Sequence, residues 1–353
     1  EMYCSDDGHV FFLGDAQGES YLYDTNVNTG ETRKIYGGRA QFSDVAFDQE
    51  ANLAVIQASS PSSPSELRLI NIKPYAESAP MQPNADFFFT HPTASLEKRV
   101  ITRAGVEIES RLLKPPSFEP SIKYPLILDI HGGPHGAFYD SFNLLQQILA
   151  TAGYLVLSVN PRGSSTYGAE FLKAVIGDWG GQDYLDLLAA VDDTSAEPYV
   201  DTSRLGLHGY SYGGFMSSWI VGHDHRFKAA VVGAPCTDLA SMYGTSDIGV
   251  SFGERQWAGT RFDSFDSFTL HSPLTYAKNV NTPVLLLHGE SDHRCPIEQS
   301  EQFFVSLKRM GKTVEFVRFP GSSHLFLRIG HPLMRYEYLS RSLAWFDKYI
   351  GTK

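Results

Sequence analysis

The segment "LHGYSYGG", residues 207–214, places Ser211 between Gly209 and Gly213 in a Gly-x-Ser-x-Gly pattern. A serine hydroxyl becomes a nucleophile when a base removes its proton, and flanking glycines leave room for a sharp turn that exposes the hydroxyl. A tight glycine turn that contains serine without any catalytic role fits the same letters. The pattern therefore makes Ser211 a candidate nucleophile, and the strands and helices around it must decide between the two interpretations.

Two downstream residues could activate this serine. Asp292 follows an apolar strand in "TPVLLLHGESDHRCP", and His324 follows another in "VEFVRFPGSSHLF". Histidine can take the hydroxyl proton, and a carboxylate can orient the imidazole. Because the order Ser, Asp, His is that of α/β-hydrolases, Ser211, Asp292 and His324 are the predicted catalytic triad.

Other polar residues compete for these roles. Glu290 lies in the same loop as Asp292, while His208 and His288 end strands and are expected to lie in the sheet. The pairs "HDH" at 223–225 and "DH" at 292–293 do not form a convincing ligand set, so no metal is predicted.

The glycine-rich segment "HGGPHG", residues 131–136, follows an apolar strand. Glycines let backbone N–H groups approach a ligand closely, and such groups can stabilise the oxyanion of a tetrahedral intermediate. The N–H of Gly133 or Gly132, with that of Tyr212, is the predicted oxyanion hole. A glycine turn without a catalytic role is the alternative, and His131 and His135 are expected to shape this loop.

Strands and helices alternate from about residue 96 onward. The segments "YPLILDIHGG", "LVLSVNPRG", "FKAAVVGAP" and "TPVLLLHGE" are near-continuous apolar strands, with helical periodicity in "DYLDLLAAVDD". Strands that are apolar on both faces belong in a covered, mostly parallel sheet. The predicted fold of residues 96–353 is therefore α/β, of the α/β-hydrolase type.

Residues 1–95 have a different pattern of short alternating strands and turns. The strands "VFFLGD" and "ESYLYD" are followed about 40 residues later by "LAVIQASS" and "SELRLINI", a spacing typical of propeller blades. We predict a partial β-propeller of about two blades. A small antiparallel sheet packed on the second domain is the alternative. The runs "SSPSSPS" and "SAPMQPN" are predicted as loop and linker.

Composition narrows the class of protein. The 353 residues are 42% hydrophobic and 13% aromatic with a net charge of −11, which favours a soluble globular protein and disfavours nucleic acid or anionic membranes as partners. Cys4, Cys236 and Cys295 are too few for a disulfide framework, which suggests a reducing, cytoplasmic compartment. No cofactor is predicted.

Several motifs together resemble the prolyl oligopeptidase (S9) family of serine peptidases, in particular its acylaminoacyl-peptidase-like branch. They are "GYSYGGF", "HGGP", "FPGSSHLF", the segment 159–193 and the segment 271–296. The resemblance favours Asp292 over Glu290 and implies that Arg294 contacts substrate near the cleaved bond. Pocket walls are expected from Tyr212, from residues 235–243 and from the aromatic run 255–268.

The chain departs from this family in two ways. Cys295 stands where an aliphatic residue is usual before Pro296, and the upstream remainder of the propeller that gates the site is missing. The resemblance therefore implies the C-terminal part of a longer or cleaved polypeptide. An N-terminal part of the same gene product is an expected partner, and a homo-oligomer is possible.

The predicted function is a serine peptidase that cleaves short peptides near the N-terminus, as an acylaminoacyl-peptidase or related oligopeptidase. Dipeptidyl-peptidase activity is one alternative, although the acidic residues that bind a free N-terminus would lie in propeller sequence outside this chain. An esterase or small-molecule amide hydrolase is another. A non-catalytic scaffold is disfavoured because serine, aspartate and histidine are all present.

Overall fold

The structure is a computed structural model that describes residues 2–48, 50, 52–72, 75–77 and 81–351. Contacts divide the chain into two compact units, Glu1–Leu96 with Phe138–Gln147, and Glu97–Ala137 with Ile148–Lys353. The sequence patterns assign 138–147 to the second domain. In the structure its backbone is bonded to the first unit: the Asp140 N–H donates to the Gly18 carbonyl at 2.9 Å.

The first unit consists of short antiparallel strands. In the described ranges they are β1 Met2–Cys4, β2 His9–Ala16, β3 Glu19–Asn26, β4 Thr32–Gly37, β5 Gln41–Phe47, β6 Leu53–Ser60, β7 Ser63–Ile72 and β8 Tyr75–Glu77. Strands β1 to β4 form one sheet and β5 to β8 a second, each with the four-stranded antiparallel form of a propeller blade. Burial alternates along β3 and β6, as expected of strands with one covered face.

The proline-containing runs of this unit differ from the prediction. In "SSPSSPS", only Pro61 and Ser62 form a turn, and Ser63–Ser65 already belong to β7. Pro64 is tolerated because the pairing of β6 and β7 is irregular here: the register shifts between Ala58 and Ser60, which pair with Glu66 and Ser63. In "SAPMQPN", residues 78–80 lie outside the described residues, and the helix α1 Ala85–Thr90 follows the run.

The second unit contains the large sheet. Its strands are β9 Ser95–Arg103, β10 Val106–Lys114, β11 Tyr124–Ile130, β12 Leu155–Asn160, β13 Val200–Tyr210, β14 Phe227–Gly233, β15 Val284–Gly289 and β16 Val314–Phe319. The order across the described strands is β16-β15-β14-β13-β11-β12-β10-β9. The run from β16 to β12 is parallel, and β10 pairs antiparallel with β12. The predicted mostly parallel α/β architecture is confirmed.

Helices lie between these strands and after the last one. They are α2 Leu144–Thr151, α3 Ala169–Lys173, α4 Gln182–Ser195, α5 Tyr212–His223, α6 Leu239–Thr245, α7 Gly253–Trp257, α8 Phe265–Leu270, α9 Glu298–Arg309, α10 Phe326–Ile329 and α11 Pro332–Ile350, with a 3₁₀ helix at Pro273–Asn279. Every residue of β11, β12 and β15 is buried, which explains their continuous apolar sequences. Among the helices of the described ranges, none combines the length and apolarity needed to cross a bilayer.

Candidate active site

Ser211 lies at a sharp turn between β13 and α5. The strand ends at Tyr210, the helix begins at Tyr212, and Ser211 has φ 63° and ψ −121°. A side chain at Gly209 would collide with the Gly213 carbonyl, and one at Gly213 with the Ile130 carbonyl. The two glycines are therefore required by close approach, and the turn lifts the serine hydroxyl to the carboxyl edge of the sheet.

The structure brings Ser211, His324 and Asp292 together. His324 Nε2 lies 2.9 Å from Ser211 Oγ, and its Nδ1 lies 2.6 Å from Asp292 Oδ2. Asp292 follows β15 and His324 follows β16, two parallel neighbours whose carboxyl ends are adjacent. The imidazole is thus placed between a hydroxyl and a carboxylate, the arrangement that allows proton transfer from serine.

Several donors hold Asp292 in its ionised form. Its Oδ1 accepts the backbone N–H groups of Arg294 and Cys295, each at 2.9 Å, and His288 Nε2 lies 3.3 Å from Oδ2. Burial by itself raises the pKa of Asp292, but hydrogen bonds with His288 and His324 outweigh it and lower the pKa to about 2. The carboxylate therefore stays charged and can stabilise an imidazolium at His324.

The competing residues have other partners. Glu290 pairs with Arg318, with 2.7 Å between Oε1 and Nε, and does not take part in the contacts of His324. His208 lies within β13 and His288 within β15, so both are sheet residues. His288 nevertheless contacts Asp292, a role that the strand pattern alone did not reveal.

The glycine loop after β11 lies beside the nucleophile. Gly133 has φ 140° and lines the same cavity as Ser211, while a Cβ on Gly132 would lie 3.4 Å from the Ser211 Cβ. Tyr212 is the first residue of α5, where a backbone N–H has no acceptor within its own helix. The three residues of the predicted oxyanion hole, Gly132, Gly133 and Tyr212, thus lie close to Ser211.

Two histidines anchor the glycine loop. His131 is buried, with Nδ1 2.8 Å from the Gly132 carbonyl and Nε2 2.9 Å from Ser164 Oγ. His135 Nδ1 lies 2.9 Å from the Gly163 carbonyl oxygen. Burial lowers the pKa of His131 to about 4, so its imidazole is neutral at neutral pH. These contacts fix the loop that carries Gly133.

A cavity of about 330 Å³ opens at Ser211. Its apolar wall consists of Trp179, Tyr212, Met242, Ile248 and Phe252. The predicted contributions of Tyr212 and of segment 235–243 are present. The expectation for the aromatic run 255–268 is wrong for this cavity, because Trp257 and Phe268 are buried in the core and line a smaller neighbouring space.

Arg294 is at the polar end of this cavity. Its guanidinium pairs with Asp247 at 2.8 Å, and 45% of the side chain remains exposed. The hydrogen bond with Asp247 raises the pKa of Arg294, so the group is permanently charged. The Arg294 guanidinium is thus a positive charge that a substrate carbonyl or carboxylate could contact.

Sequence reasoning missed a buried hydrogen-bonded pair formed by Tyr212 and Asp183. The Tyr212 hydroxyl donates to Asp183, which also accepts the N–H groups of Gly180 at 3.2 Å and Tyr184 at 2.8 Å. Burial raises the pKa of Asp183 to about 7 despite these hydrogen bonds. Trp179 packs edge-on against Tyr212 with ring centroids 5.0 Å apart. Asp183 ends the segment "GDWGGQD", residues 177–183, within the motif 159–193, and no periodicity relates it to Tyr212.

The suggested metal pairs have other contacts. His223 Nδ1 lies 2.8 Å from the Trp219 carbonyl, and Asp224 pairs with Arg226. Within the described ranges, no group of three or more His, Cys, Asp or Glu side chains could hold a metal ion.

A serine at a sharp strand-to-helix turn, with an aspartate and a histidine after two later strands of the same sheet, defines a serine site of the α/β-hydrolase type. Comparison with known proteins agrees. The model of the prolyl oligopeptidase family matches residues 140–353. The uncharacterized peptidase YuxL of Bacillus subtilis is 39% identical over 352 residues, which cover 99% of this chain and 53% of that protein. The chain therefore belongs to the prolyl oligopeptidase family.

Other relatives extend this comparison. Dipeptidyl-peptidase 5 of Porphyromonas gingivalis is 30% identical, over 99% of this chain and 51% of that protein. The structure of Pyrococcus horikoshii acylaminoacyl peptidase superposes with a TM-score of 0.93 at 28% identity, over 100% of this chain and 56% of that one. The chain thus spans about half the length of the relatives that it matches.

Proposed function

We propose that this chain carries the catalytic site of a serine peptidase that acts on short peptides near the N-terminus, of the acylaminoacyl-peptidase type. The observation that carries the proposal is the continuous contact from Asp292 through His324 to Ser211, with distances of 2.6 and 2.9 Å. Membership of the prolyl oligopeptidase family and the fold shared with an acylaminoacyl peptidase support it.

In the proposed reaction, Ser211 Oγ attacks the carbonyl carbon of the substrate while His324 Nε2 takes the hydroxyl proton. His324 then gives this proton to the leaving amine, and an acyl-enzyme remains on Ser211. Water, activated by the same imidazole, hydrolyses the ester in the second half of the reaction. Asp292 keeps Nδ1 protonated and stabilises the imidazolium that forms in each step.

Backbone N–H groups would stabilise the oxyanion. Tyr212 supplies one from the first turn of α5, and Gly133, or alternatively Gly132, supplies the other from the glycine loop. Such donors are fixed before reaction begins, so they stabilise the developing charge without reorganisation. The contacts of His131 and His135 serve this function by holding the loop.

Substrate preference is proposed from the cavity. Its wall of Trp179, Met242, Ile248 and Phe252 suits an apolar side chain or blocking group beside the cleaved bond. Arg294 lies at the same cavity and is placed to contact a peptide carbonyl. A short peptide with a blocked N-terminus combines both features.

Dipeptidyl-peptidase activity is a second candidate. It is favoured by the 30% identity to dipeptidyl-peptidase 5 of Porphyromonas gingivalis, which extends over 99% of this chain. Esterase activity on small substrates would use the same residues and is the third candidate.

The test compares acetyl-alanyl, dipeptidyl and short-chain ester chromogenic substrates on the same preparation. Ser211→Ala should lower kcat by about 10⁶, as removal of a triad serine does in other enzymes. Ser217→Ala is a matched control on the same helix, because its buried hydroxyl has no hydrogen-bond partner among the described residues. Loss of less than tenfold in Ser211→Ala would refute the mechanism, and preference for the dipeptidyl substrate would select the second candidate.

A further inference from the structure

Two thiols meet at the wall of the catalytic cavity. Cys236 follows β14 and Cys295 lies in the loop after β15, and these strands are parallel neighbours. Their Sγ atoms are 3.2 Å apart, and both cysteines are free. The residues are 3% and 1% exposed, yet both line the cavity that contains Ser211. A small reagent that enters the cavity can therefore reach a pair of thiols.

Cys295 is also bonded to the groups that orient the catalytic histidine. Its backbone N–H donates to Asp292 Oδ1 at 2.9 Å, and its carbonyl accepts from His288 Nε2 at 2.7 Å. Its Sγ lies 3.9 Å from Ser211 Oγ. Any movement of Cys295 is thus transmitted to Asp292 through a single hydrogen bond.

We propose that Cys236 and Cys295 form a dithiol modification site, which a peroxide closes to a disulfide, and that closure slows reaction at Ser211. The proposal rests on the proposed hydrolase function for its effect on activity, but formation of the disulfide is independent of that function. The site consists of this chain's own residues and needs no bound ligand or partner.

The chemistry balances with peroxide as the oxidant. One thiolate attacks a peroxide oxygen, which breaks the O–O bond, releases hydroxide and leaves a sulfenic acid. The second thiol attacks the sulfenic sulfur, an S–S bond forms, and water leaves. In sum, two thiols and one hydrogen peroxide give one disulfide and two waters. A thiol reductant reverses the change by exchange.

The hydrogen bond with Cys236, together with burial, raises the pKa of Cys295 well above its usual value. Its thiolate is therefore scarce at neutral pH, and closure requires sustained exposure to oxidant. A disulfide brings the sulfurs to about 2.05 Å, so the atoms must approach by about 1 Å. A displacement of about 1 Å at catalytic groups can lower a rate about 100-fold.

Buried cysteines also serve simply as small apolar side chains that pack a core. In that case the 3.2 Å approach has no chemical consequence. The two accounts differ in whether oxidant links the residues and in whether the link changes reactivity of Ser211, and both can be measured.

The experiment uses this chain with Cys4→Ser, which removes the exposed thiol that would otherwise react first. Samples are treated with hydrogen peroxide and divided. Peptide mass spectrometry looks for a cross-link between the peptides containing Cys236 and Cys295. The rate of Ser211 labelling by a fluorophosphonate is measured before oxidation, after it, and after addition of a phosphine reductant.

We expect the cross-linked peptide, a labelling rate that falls ten- to 100-fold, and recovery with reductant. Cys236→Val in the same background should lose the reversible part of this response, when each protein is compared with its own rate before oxidation. Cys295→Val should behave likewise. These two variants remove different partners of one bond, so agreement between them excludes a local packing effect.

Two results would overturn the proposal. One is no cross-link after sustained exposure to hydrogen peroxide, well beyond the time that fully oxidises Cys4 in the unmodified protein. The other is a complete cross-link with an unchanged labelling rate. Absence of labelling in the reduced protein would instead refute the proposed function, while the mass spectrum would still decide whether the disulfide forms.

Discussion

Of the histidine–aspartate contacts in and beside the large sheet, two have the same spacing and different surroundings. His324 Nδ1 lies 2.6 Å from Asp292, and His208 Nδ1 lies 2.6 Å from Asp129. At Nε2, however, His324 meets the hydroxyl of Ser211 beside a cavity, whereas His208 meets the hydroxyl of Tyr338 at 3.0 Å in the core.

The difference follows from where each residue lies on its strand. Asp129 and His208 are opposite each other on β11 and β13, so the sheet itself holds the pair and its neighbours bury it. Asp292 and His324 lie in the loops after β15 and β16, above the edge of the sheet. A histidine–carboxylate pair inside the sheet is thus structural, whereas a pair in the loops at the sheet edge has access to a nucleophile and to substrate.

Exchange of the two carboxylates for asparagine should separate these roles most strongly. Asp292→Asn leaves the shape of the site but disturbs the tautomer of His324, so kcat should fall on the order of 10⁴-fold. Asp129→Asn should lower kcat less than tenfold. Steady-state kinetics on one chromogenic substrate measures both, and comparable losses in the two variants would contradict the distinction.

A third buried carboxylate shows how the pKa of such a group changes when no imidazole pairs with it. Asp183 faces the Tyr212 hydroxyl instead of histidine, and burial raises its pKa from 3.8 to about 7. Between these values the folded protein binds more protons than the unfolded chain, so stability falls as pH rises from about 4 to 7 and then remains lower.

Asp183→Asn cannot titrate and should lack this fall. Relative to wild type, its free energy of unfolding should therefore increase by up to about 4 kcal/mol between pH 4 and pH 8. Urea unfolding of both proteins across this range gives the difference. Two curves that stay parallel would show that Asp183 does not titrate as described.

The hydroxyl of Tyr338 should matter only for stability. Tyr338→Phe removes the partner of His208 Nε2 and should destabilise the fold by about 1–2 kcal/mol. Activity should stay within about threefold, in contrast to the loss expected when the partner of His324 is removed. Denaturant unfolding and the kinetic assay are run on the same samples, and a large loss of activity would show that the core pair influences the site.

Substitution of Glu290 should have the smallest effect on activity, and it tests the assignment of the triad carboxylate to Asp292. It pairs with Arg318 at the surface, an interaction worth less than about 1 kcal/mol. Glu290→Gln should therefore change kcat less than about twofold and leave the thermal midpoint almost unchanged. A loss near that of Asp292→Asn would assign the carboxylate role to Glu290.

Local sequence was sufficient wherever one strand and the loop after it determine a position. Ser211, Asp292 and His324 each follow an apolar strand, and a parallel sheet necessarily brings the carboxyl ends of such strands to one edge. The glycine at position 209 was predicted for the same reason, because its Cβ would meet the carbonyl of Gly213 only four residues later. Gly213 is required by the more distant Ile130 carbonyl at the end of β11, a contact that the local sequence does not show.

Contacts between distant segments were not predictable in this way. Cys236 and Cys295 are 59 residues apart, and no periodicity relates them. Asp183 and Tyr212 meet through packing of α4 near α5, which depends on three-dimensional order of the strands. For the aromatic run 255–268, the sequence predicted a pocket wall that the structure does not have. Aromatic side chains occur in cores and in pockets alike, and only tertiary packing distinguishes the two.

The strained backbone of Ser211 affects how the stability of this chain can be increased. Its φ of 63° lies in a region that costs a non-glycine residue about 1–3 kcal/mol, and glycine would adopt it with less strain. The position that supplies the nucleophile is therefore also a weak point of the fold. Selection for thermal resistance alone favours loss of the hydroxyl, and selection for turnover retains it, so the two aims diverge at this residue.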